Sequence, residues 1–503
     1  MDLTPQACYR ALSTRDARFD GRIFVGVRST GVYCRPICPA RTPRREHVMF
    51  FPTAASAQEA GFRPCLRCRP EAAPDLAAWR GTSNTVSRAL TLIELGGLDE
   101  GDVDALASRV GVGERQLRRL FREHLGASPV AVAQTRRVLL AKQLIHETRM
   151  PMSEVALASG FGSIRRFNET FQRLFHRPPM ALRRVRAGAR PSSGEVVLKL
   201  RYRKPYDWPA ILSFLEARAI PGVERVESGV YSRTIGLEDE QGTVSVGQGR
   251  GDALHVTVRF PKLAALPRII ARLRRVFDLS AEPEAIRAHL SEDPLLARLV
   301  EQRPGLRVPG AWDGFELAVR AVLGQQVTLA AARSLAAGLI VRCGEPLEGA
   351  QAGTGLTHVF PTPRALVSLG PGALPMPAAR TATLVALAHT MMQRPGLFQV
   401  GRSVNEVVAD LRAIKGLGAW SAQYIALREM REPDAFPSGD VALQRAASAL
   451  MGRPVNASAL TVLAERWRPW RAYAAQHLWQ AAVGTPRRRS RAGGPTKQLG
   501  SPL

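Results

Sequence analysis

Four of the six cysteines fall between positions 34 and 68, as Cys34-x3-Cys38 and Cys65-x2-Cys68. Two short-spaced pairs of thiols are the ligand pattern of a closed tetrahedral zinc site, and such a site ties the chain around it into a small unit of its own. Six cysteines are too few to staple 503 residues, which excludes a disulfide scaffold. The remainder must build separate cores, and a chain of this length divides into roughly three to five domains.

Charge says what those domains meet. The formal charge is +27 while 45% of the residues are hydrophobic, so the excess sits on folded units and a polyanion is the natural partner. No run of about 18 apolar residues appears, and Met1 to Arg10 lacks the apolar core of a signal peptide. The expectation is a cytoplasmic protein that binds nucleic acid and no membrane.

Two stretches rich in Gly, Pro, Ser and Ala, 72–84 and 187–194, read as linkers. They imply a multidomain fold: a small zinc α/β unit at 1–79, an all-α unit at 84–186, an α+β unit at 195–305 and an all-α unit at 306–485. In the α+β unit the alternating segments 196–202, 234–237 and 254–260 predict strands, and 208–217 and 263–277 predict helices. Residues 486–503 open with Pro486-Arg487-Arg488-Arg489, have no apolar face, and predict a disordered basic tail.

The runs Gly31-Val32-Tyr33-Cys34-Arg35-Pro36-Ile37-Cys38 and Gly61-Phe62-Arg63-Pro64-Cys65-Leu66-Arg67-Cys68 resemble the N-terminal domain of the Ada adaptive-response proteins, over residues 5–72. The resemblance implies one zinc ion on the four cysteines and a methyl-accepting role for Cys34, which would take methyl from a methylphosphotriester in DNA. Zinc keeps a bound sulfur deprotonated and therefore nucleophilic. Zinc with four thiolates carries about −2, and one methylation leaves about −1, which weakens repulsion from phosphates within a Debye length of roughly 10 Å. From spacing alone, a purely structural zinc is the competing reading.

In the second unit, Asp104 to Gly113 followed by Glu114 to Phe121, and Ser153 to Gly162 followed by Ser163 to Phe171, each place Gly in a tight turn before a basic helix. The duplicated pair resembles the AraC-type helix-turn-helix regulators, which implies promoter DNA and RNA polymerase as partners. In that geometry Arg115, Arg118, Arg165, Arg166 and Asn168 face the major groove, where Arg reads guanine and Asn adenine. Contact with phosphates alone is the plainer role for any one of the arginines.

Further on, Leu411 to Ala422 holds a Lys415-Gly416-x-Gly418 hairpin between two apolar helical flanks. Two glycines there leave N–H groups bare at the start of the next helix, where a phosphate docks, often through a monovalent cation. With Pro437-Ser438-Gly439-Asp440 twenty residues beyond Trp420, the pattern resembles the helix-hairpin-helix DNA glycosylases, and among them the AlkA-type 3-methyladenine glycosylases. The match runs over 195–485 through Gly324-Gln325-Gln326-Val327-Thr328 and Arg466 to Tyr473.

That resemblance implies Asp440 as the catalytic carboxylate, Trp420, Tyr424 and Trp479 as the walls of the base pocket, and Gln326 where a wedge side chain fills the gap left by a flipped base. Lys415 replaces a more common hairpin proline and adds a phosphate contact. A carboxylate stabilises the sugar cation left when a base departs, and aromatic faces attract cationic alkylated purines by about 0.5 to 2 kcal/mol. An isolated Asp before a helix is otherwise an N-cap, and an aromatic at helical spacing is otherwise core. Trp420 stands where glycosylases that also nick the strand carry a lysine, so water is the expected nucleophile. No Pro-Cys-His-Arg segment occurs, Cys343 lying in Val341-Arg342-Cys343-Gly344, and O6-methylguanine transfer is not expected. Two competing functions remain: a methylation-activated regulator whose second half only binds damaged DNA, and a passive DNA-binding scaffold.

Overall fold

The computed structural model describes residues 4–16, 19–72, 84–99, 101–183, 195–237, 239–348, 355–398 and 404–484. Most of the expected linkers and the whole basic tail at 486–503 lie outside them.

The zinc unit opens with α1 (Pro5–Ser13), then β1 (Phe24–Val27), β2 (Val32–Cys34), β3 (Val48–Phe51), α2 (Ala54–Glu59) and β4 (Arg63–Pro64). Its sheet has the order β3-β1-β2-β4, with β4 parallel to β2. That parallel pairing carries the end of β2, with Cys34, beside the segment that follows β4, with Cys65.

The helical unit comprises α3 (Asn84–Glu94), α4 (Val103–Val110), α5 (Glu114–Leu125), α6 (Pro129–Glu147), α7 (Met152–Ala158) and α8 (Ile164–Phe175). The turns expected from glycine form where the pattern placed them: Gly111 and Gly160 have φ of 80° and 84°, a region open to Gly at little cost. Helix α6 starts at Ser128, whose Oγ accepts from Ala131 N, and at Pro129, whose missing N–H costs nothing in a first turn.

The α+β unit has β5 (Glu195–Arg201), α9 (Trp208–Glu216), β6 (Glu224–Glu227), β7 (Val230–Leu237), β8 (Glu240–Gln248), β9 (Ala253–Arg259) and α10 (Leu266–Val276), with sheet order β5-β9-β8-β7-β6, all antiparallel. Val196, Leu198 and Leu200 alternate inward along β5, as a half-buried edge strand requires. Helix α6 covers that edge: Gln143 Nε2 donates to Lys199 O at 2.9 Å and Lys199 N to Glu147 Oε2 at 3.1 Å. One apolar cluster accordingly runs from Phe167, Phe171 and Phe175 into the sheet residues Val196, Val244 and Val256.

The remaining helices are α11 (Pro283–Leu290), α12 (Ala297–Gln302), α13 (Gly314–Leu323), α14 (Leu329–Cys343), α15 (Pro363–Val367), α16 (Ala378–Gln393), α17 (Val404–Ala413), α18 (Ala419–Arg428), α19 (Val441–Met451), α20 (Ala457–Ala464) and α21 (Arg471–Gly484). They close around two cores, one with Leu339, Leu387 and Ile425, the other with Leu443, Trp467 and Leu478. Helices α11 and α12 pack into the second. Helix α18, the α13–α14 loop, the N-cap of α19 and the side of α21 meet at one cleft. Among the described residues no helix is long and apolar enough to cross a membrane.

Candidate active site and metal centre

Helix α18 places Trp420, Tyr424 and Arg428 four residues apart on one stripe, so all three reach the same cleft. The cleft encloses about 580 Å³ and is also lined by Phe214, Arg218, Trp312, Asp440, Gln476 and Trp479. Trp420 stacks on Tyr424, centroids 5.6 Å apart at 15°, and Trp479 meets Tyr424 edge-on at 6.3 Å and 76°.

Asp440 is the N-cap of α19, and its Oδ1 accepts from Ala442 N at 2.9 Å and Leu443 N at 3.0 Å. The same carboxylate receives both indoles, Trp420 Nε1 to Oδ2 at 3.0 Å and Trp479 Nε1 to Oδ1 at 3.2 Å. The capping role and the place in the cleft belong to one group, because Pro437 to Gly439 turn the chain so that α19 begins at the cleft wall.

The hairpin between α17 and α18 is buried at Ile414 and Leu417 and exposed at Lys415, Gly416 and Gly418. Gly416 has φ of 95°, and a Cβ there would collide with Thr383, so no other residue fits. Gly418 caps α18 without a side-chain bond, so no side chain of the cap residue satisfies the first N–H groups of that helix. Gln325 Nε2 donates to Gly416 O at 2.9 Å and ties the α13–α14 loop to the hairpin. Its neighbour Gln326 is exposed at φ of 56°, and the cleft rim beside it is formed by Val327 and Leu329.

Sequence reasoning missed the cationic side of the cleft. Arg218, Arg428 and Phe214 were not singled out, although Arg428 continues the Trp420/Tyr424 spacing and so carried a periodic signal; Arg218 and Phe214 arrive from the α+β unit with none. Cys343, at the end of α14, stands apart from the cleft lining.

In the zinc unit the sulfurs of Cys34, Cys38, Cys65 and Cys68 all lie within 4.8 Å of one another. A tetrahedron of 2.3 Å zinc–sulfur bonds has edges of about 3.8 Å, so the set fits one zinc ion with little movement. As whole residues Cys34 is half-buried and Cys38, Cys65 and Cys68 are buried. Arg35 N donates to Cys68 Sγ at 3.4 Å and Arg67 N to Cys65 Sγ at 3.3 Å, bonds that suit charged thiolates. Behind the cluster Lys142 of α6, fully buried, donates to Cys65 O at 2.8 Å and to Glu71 Oε2 at 2.6 Å.

On the helix-turn-helix unit the predicted DNA-facing residues share exposed faces of α5 and α8. Arg115, Arg166 and Asn168 are exposed; Arg118 is held by Glu114 at 2.6 Å and Arg165 by Glu169 at 2.8 Å, both one turn away.

Comparison with known proteins matches three family models in chain order: the metal binding domain of Ada at residues 7–71, a helix-turn-helix domain at 106–185, and the AlkA N-terminal domain at 197–313. A probable bifunctional transcriptional activator/DNA repair enzyme AlkA of Mycobacterium tuberculosis is 42% identical over 479 residues, which span 94% of this chain and 96% of the relative. DNA-3-methyladenine glycosylase 2 of Escherichia coli is 32% identical over 284 residues, 56% of this chain and 95% of that protein. Among solved structures, a 3-methyladenine DNA glycosylase from Archaeoglobus fulgidus superposes with a TM-score of 0.51 at 22% identity, covering 57% of this chain and 98% of its own, a likeness of fold.

Proposed function

The chain belongs to the family of bifunctional transcriptional activator/DNA repair enzymes of the AlkA type, and from that membership we propose a division of labour between its halves. The C-terminal half is a monofunctional DNA-3-methyladenine glycosylase that hydrolyses the bond between sugar and alkylated base. The N-terminal half takes methyl from DNA methylphosphotriesters onto Cys34 and binds promoter DNA, with RNA polymerase as its further partner.

The observation that carries the first part is the bonding of Asp440. Two backbone N–H groups and two indoles point at its carboxylate. Oδ1 takes three of these bonds and Oδ2 one, so four donors hold the charged carboxylate in place while Oδ2 keeps one acceptor position open. The group is therefore suited to electrostatic stabilisation of the sugar cation, with water attacking after the base has begun to leave. A flipped base enters between the aromatic walls, Gln326 occupies the vacated stack, and phosphate docks on the bare N–H groups after Gly418, with Lys415 and a monovalent cation adding positive charge.

When bound, zinc keeps the four sulfurs as thiolates. Cys34 forms a sulfur–carbon bond as the methyl–oxygen bond of the triester breaks, and a phosphodiester anion departs. Arg115, Arg118, Arg165, Arg166 and Asn168 supply the promoter contacts.

The test is to incubate methylated duplex DNA with the full chain and to measure free bases and protein-bound methyl separately. Release of 3-methyladenine with methyl on Cys34 is expected; methyl transfer without base release would leave the second half as a damage-binding module.

A further inference from the structure

The loop that follows β4 carries two of the four clustered cysteines, Cys65 and Cys68, and it is also where the zinc unit meets the rest of the chain. Leu66, between them, packs against the apolar cluster shared by α6 and the five-stranded sheet. From Cys65 a continuous chain of polar contacts leads out of the unit. Lys142 Nζ donates to the Cys65 carbonyl and to Glu71 Oε2. Arg69 Nε donates to the other oxygen of Glu71 at 3.2 Å, and Arg69 Nη2 to Glu147 Oε1 at 3.1 Å. Glu147 Oε2 then accepts from Lys199 N of the edge strand β5 at 3.1 Å and from Gln143 Nε2 at 3.0 Å. A second route starts at Arg35, next to Cys34, which donates to Cys68 O at 3.3 Å and to Asp20 Oδ1 at 2.8 Å. Two residues beyond Asp20, Arg22 pairs at 3.0 Å with Glu282, which also faces Arg203 at 3.0 Å.

These contacts hold only while loop 65–71 keeps one position. The Lys142 and Glu71 side chains are both buried, so neither charge finds water if the loop shifts by a little. The loop therefore has two arrangements, one packed with its charges paired and one open with its charges in water. Zinc coordination requires the four sulfurs together, so the metal binds the packed arrangement and not the open one. By linkage, each contact that favours the packed loop raises zinc affinity, and zinc strengthens that contact by the same factor.

We propose that the end of α6 is a clamp on strand β5 whose hold depends on the metal centre. Zinc at the four cysteines fastens loop 65–71, the loop holds Glu147 through Arg69, and Glu147 covers the outer edge of β5 at Lys199. Strand β5 is followed directly by α9, whose Phe214 lines the cleft, with Arg218 just beyond its end. The state of the metal centre thus reaches the walls of a cleft that it does not touch. The inference depends on zinc at the cysteines and on neither of the proposed reactions.

The test is amide hydrogen exchange of the full chain, followed by mass on peptides from β5 and β8, with zinc bound and after its removal by a chelator. Zinc affinity is measured beside it by competition with a chromophoric chelator. In the wild type, zinc removal should speed exchange in β5 about ten-fold or more while β8, two strands further into the sheet, changes little. Glu147→Ala, at a residue bonded to none of the four cysteines, should exchange fast in β5 with or without zinc and bind zinc about five-fold or more weakly. Arg22→Met, on the second route, should leave the β5 response to zinc in place. Equal exchange in β5 with and without zinc overturns the proposal, as does a Glu147→Ala variant that keeps the wild-type response. Loss of protection in β8 together with β5, or loss of the response in Arg22→Met as well, would mean general loosening and overturns the route through Glu147.

Discussion

Trp420 Nε1 donates to Asp440 Oδ2 at 3.0 Å and so joins the first turn of α18 to the N-cap of α19. The bond fixes the indole edge-on to the carboxylate, leaving its face stacked on Tyr424. A helix cap held in this way cannot drift from the cleft, and a charge held in this way needs no reorganisation when the sugar cation develops.

Asp440→Asn should separate those roles. An amide has one acceptor oxygen; turned to cap α19 it presents its NH₂ to an indole N–H, and turned to the indole it presents NH₂ to the helix N-terminus. Release of 3-methyladenine is expected to fall about 10²-fold or more, the usual contribution of one electrostatic group, with a stability loss of only about 1 kcal/mol. Free-base chromatography beside a thermal melt checks both; release at the wild-type rate would remove Asp440 from the mechanism.

The reaction type makes a second expectation. At the opening of α18 the side chain is an indole, which forms no imine, and Lys415 is exposed within the hairpin rather than in the cleft lining. Borohydride added during turnover should trap no covalent enzyme–DNA adduct, and the product should be an intact abasic strand. A trapped adduct that Lys415→Gln abolishes would instead assign a lyase.

How much of this was legible in the sequence depends on how local the signal was. Cysteine spacing and glycine turns are local, and the cysteine cluster and the paired helix-turn-helix formed where they were read. Strands β5 and β9 alternate strictly and were found; β8 was not, because Glu240-Gln241-Gly242-Thr243 carries no apolar alternation and only Val244 and Val246 are buried. Its place in the sheet comes from pairing with β7 and β9. The aromatic walls Trp420, Tyr424 and Trp479 were legible only through the family resemblance, since aromatics at helical spacing otherwise read as core, whereas Arg218 enters the cleft from another unit and no local pattern announces that.

The Lys142–Glu71 pair holds the zinc unit to α6, with side chains 0% and 1% exposed and 2.6 Å apart. Lys142→Met leaves Glu71 with Arg69, 3.2 Å away, as its remaining partner, so it should destabilise by less than the about 3 to 5 kcal/mol of a fully stranded buried charge, whereas Lys142→Met with Glu71→Leu should recover part of the loss. Chemical denaturation followed by zinc release would show it; equal destabilisation by the single and double variants would mean that packing, not charge, holds the interface.

Two buried groups oppose each other in pH. Burial raises the Glu429 carboxyl to about 7 against the pull of Arg275, 3.0 Å away, and burial lowers the His477 imidazole to about 4. For Glu429 the folded protein holds its proton more tightly than the unfolded chain, so its contribution is complete below about 4.5, the ordinary carboxyl value, and is lost as pH rises to about 7. For His477 the folded protein holds its proton less tightly, so stability is lost as pH falls from about 6.5 to about 4. Each limb amounts to roughly 3 kcal/mol at about 1.4 kcal/mol per pH unit, and across the shared window they largely cancel. Glu429→Gln removes the first limb. Relative to the wild type, that variant should gain stability as pH rises from 4.5 to 7, and His477→Gln should show the opposite slope over 4 to 6.5. Thermal melts of the three proteins across this range test it: parallel profiles would show that neither side chain is held away from its ordinary ionisation.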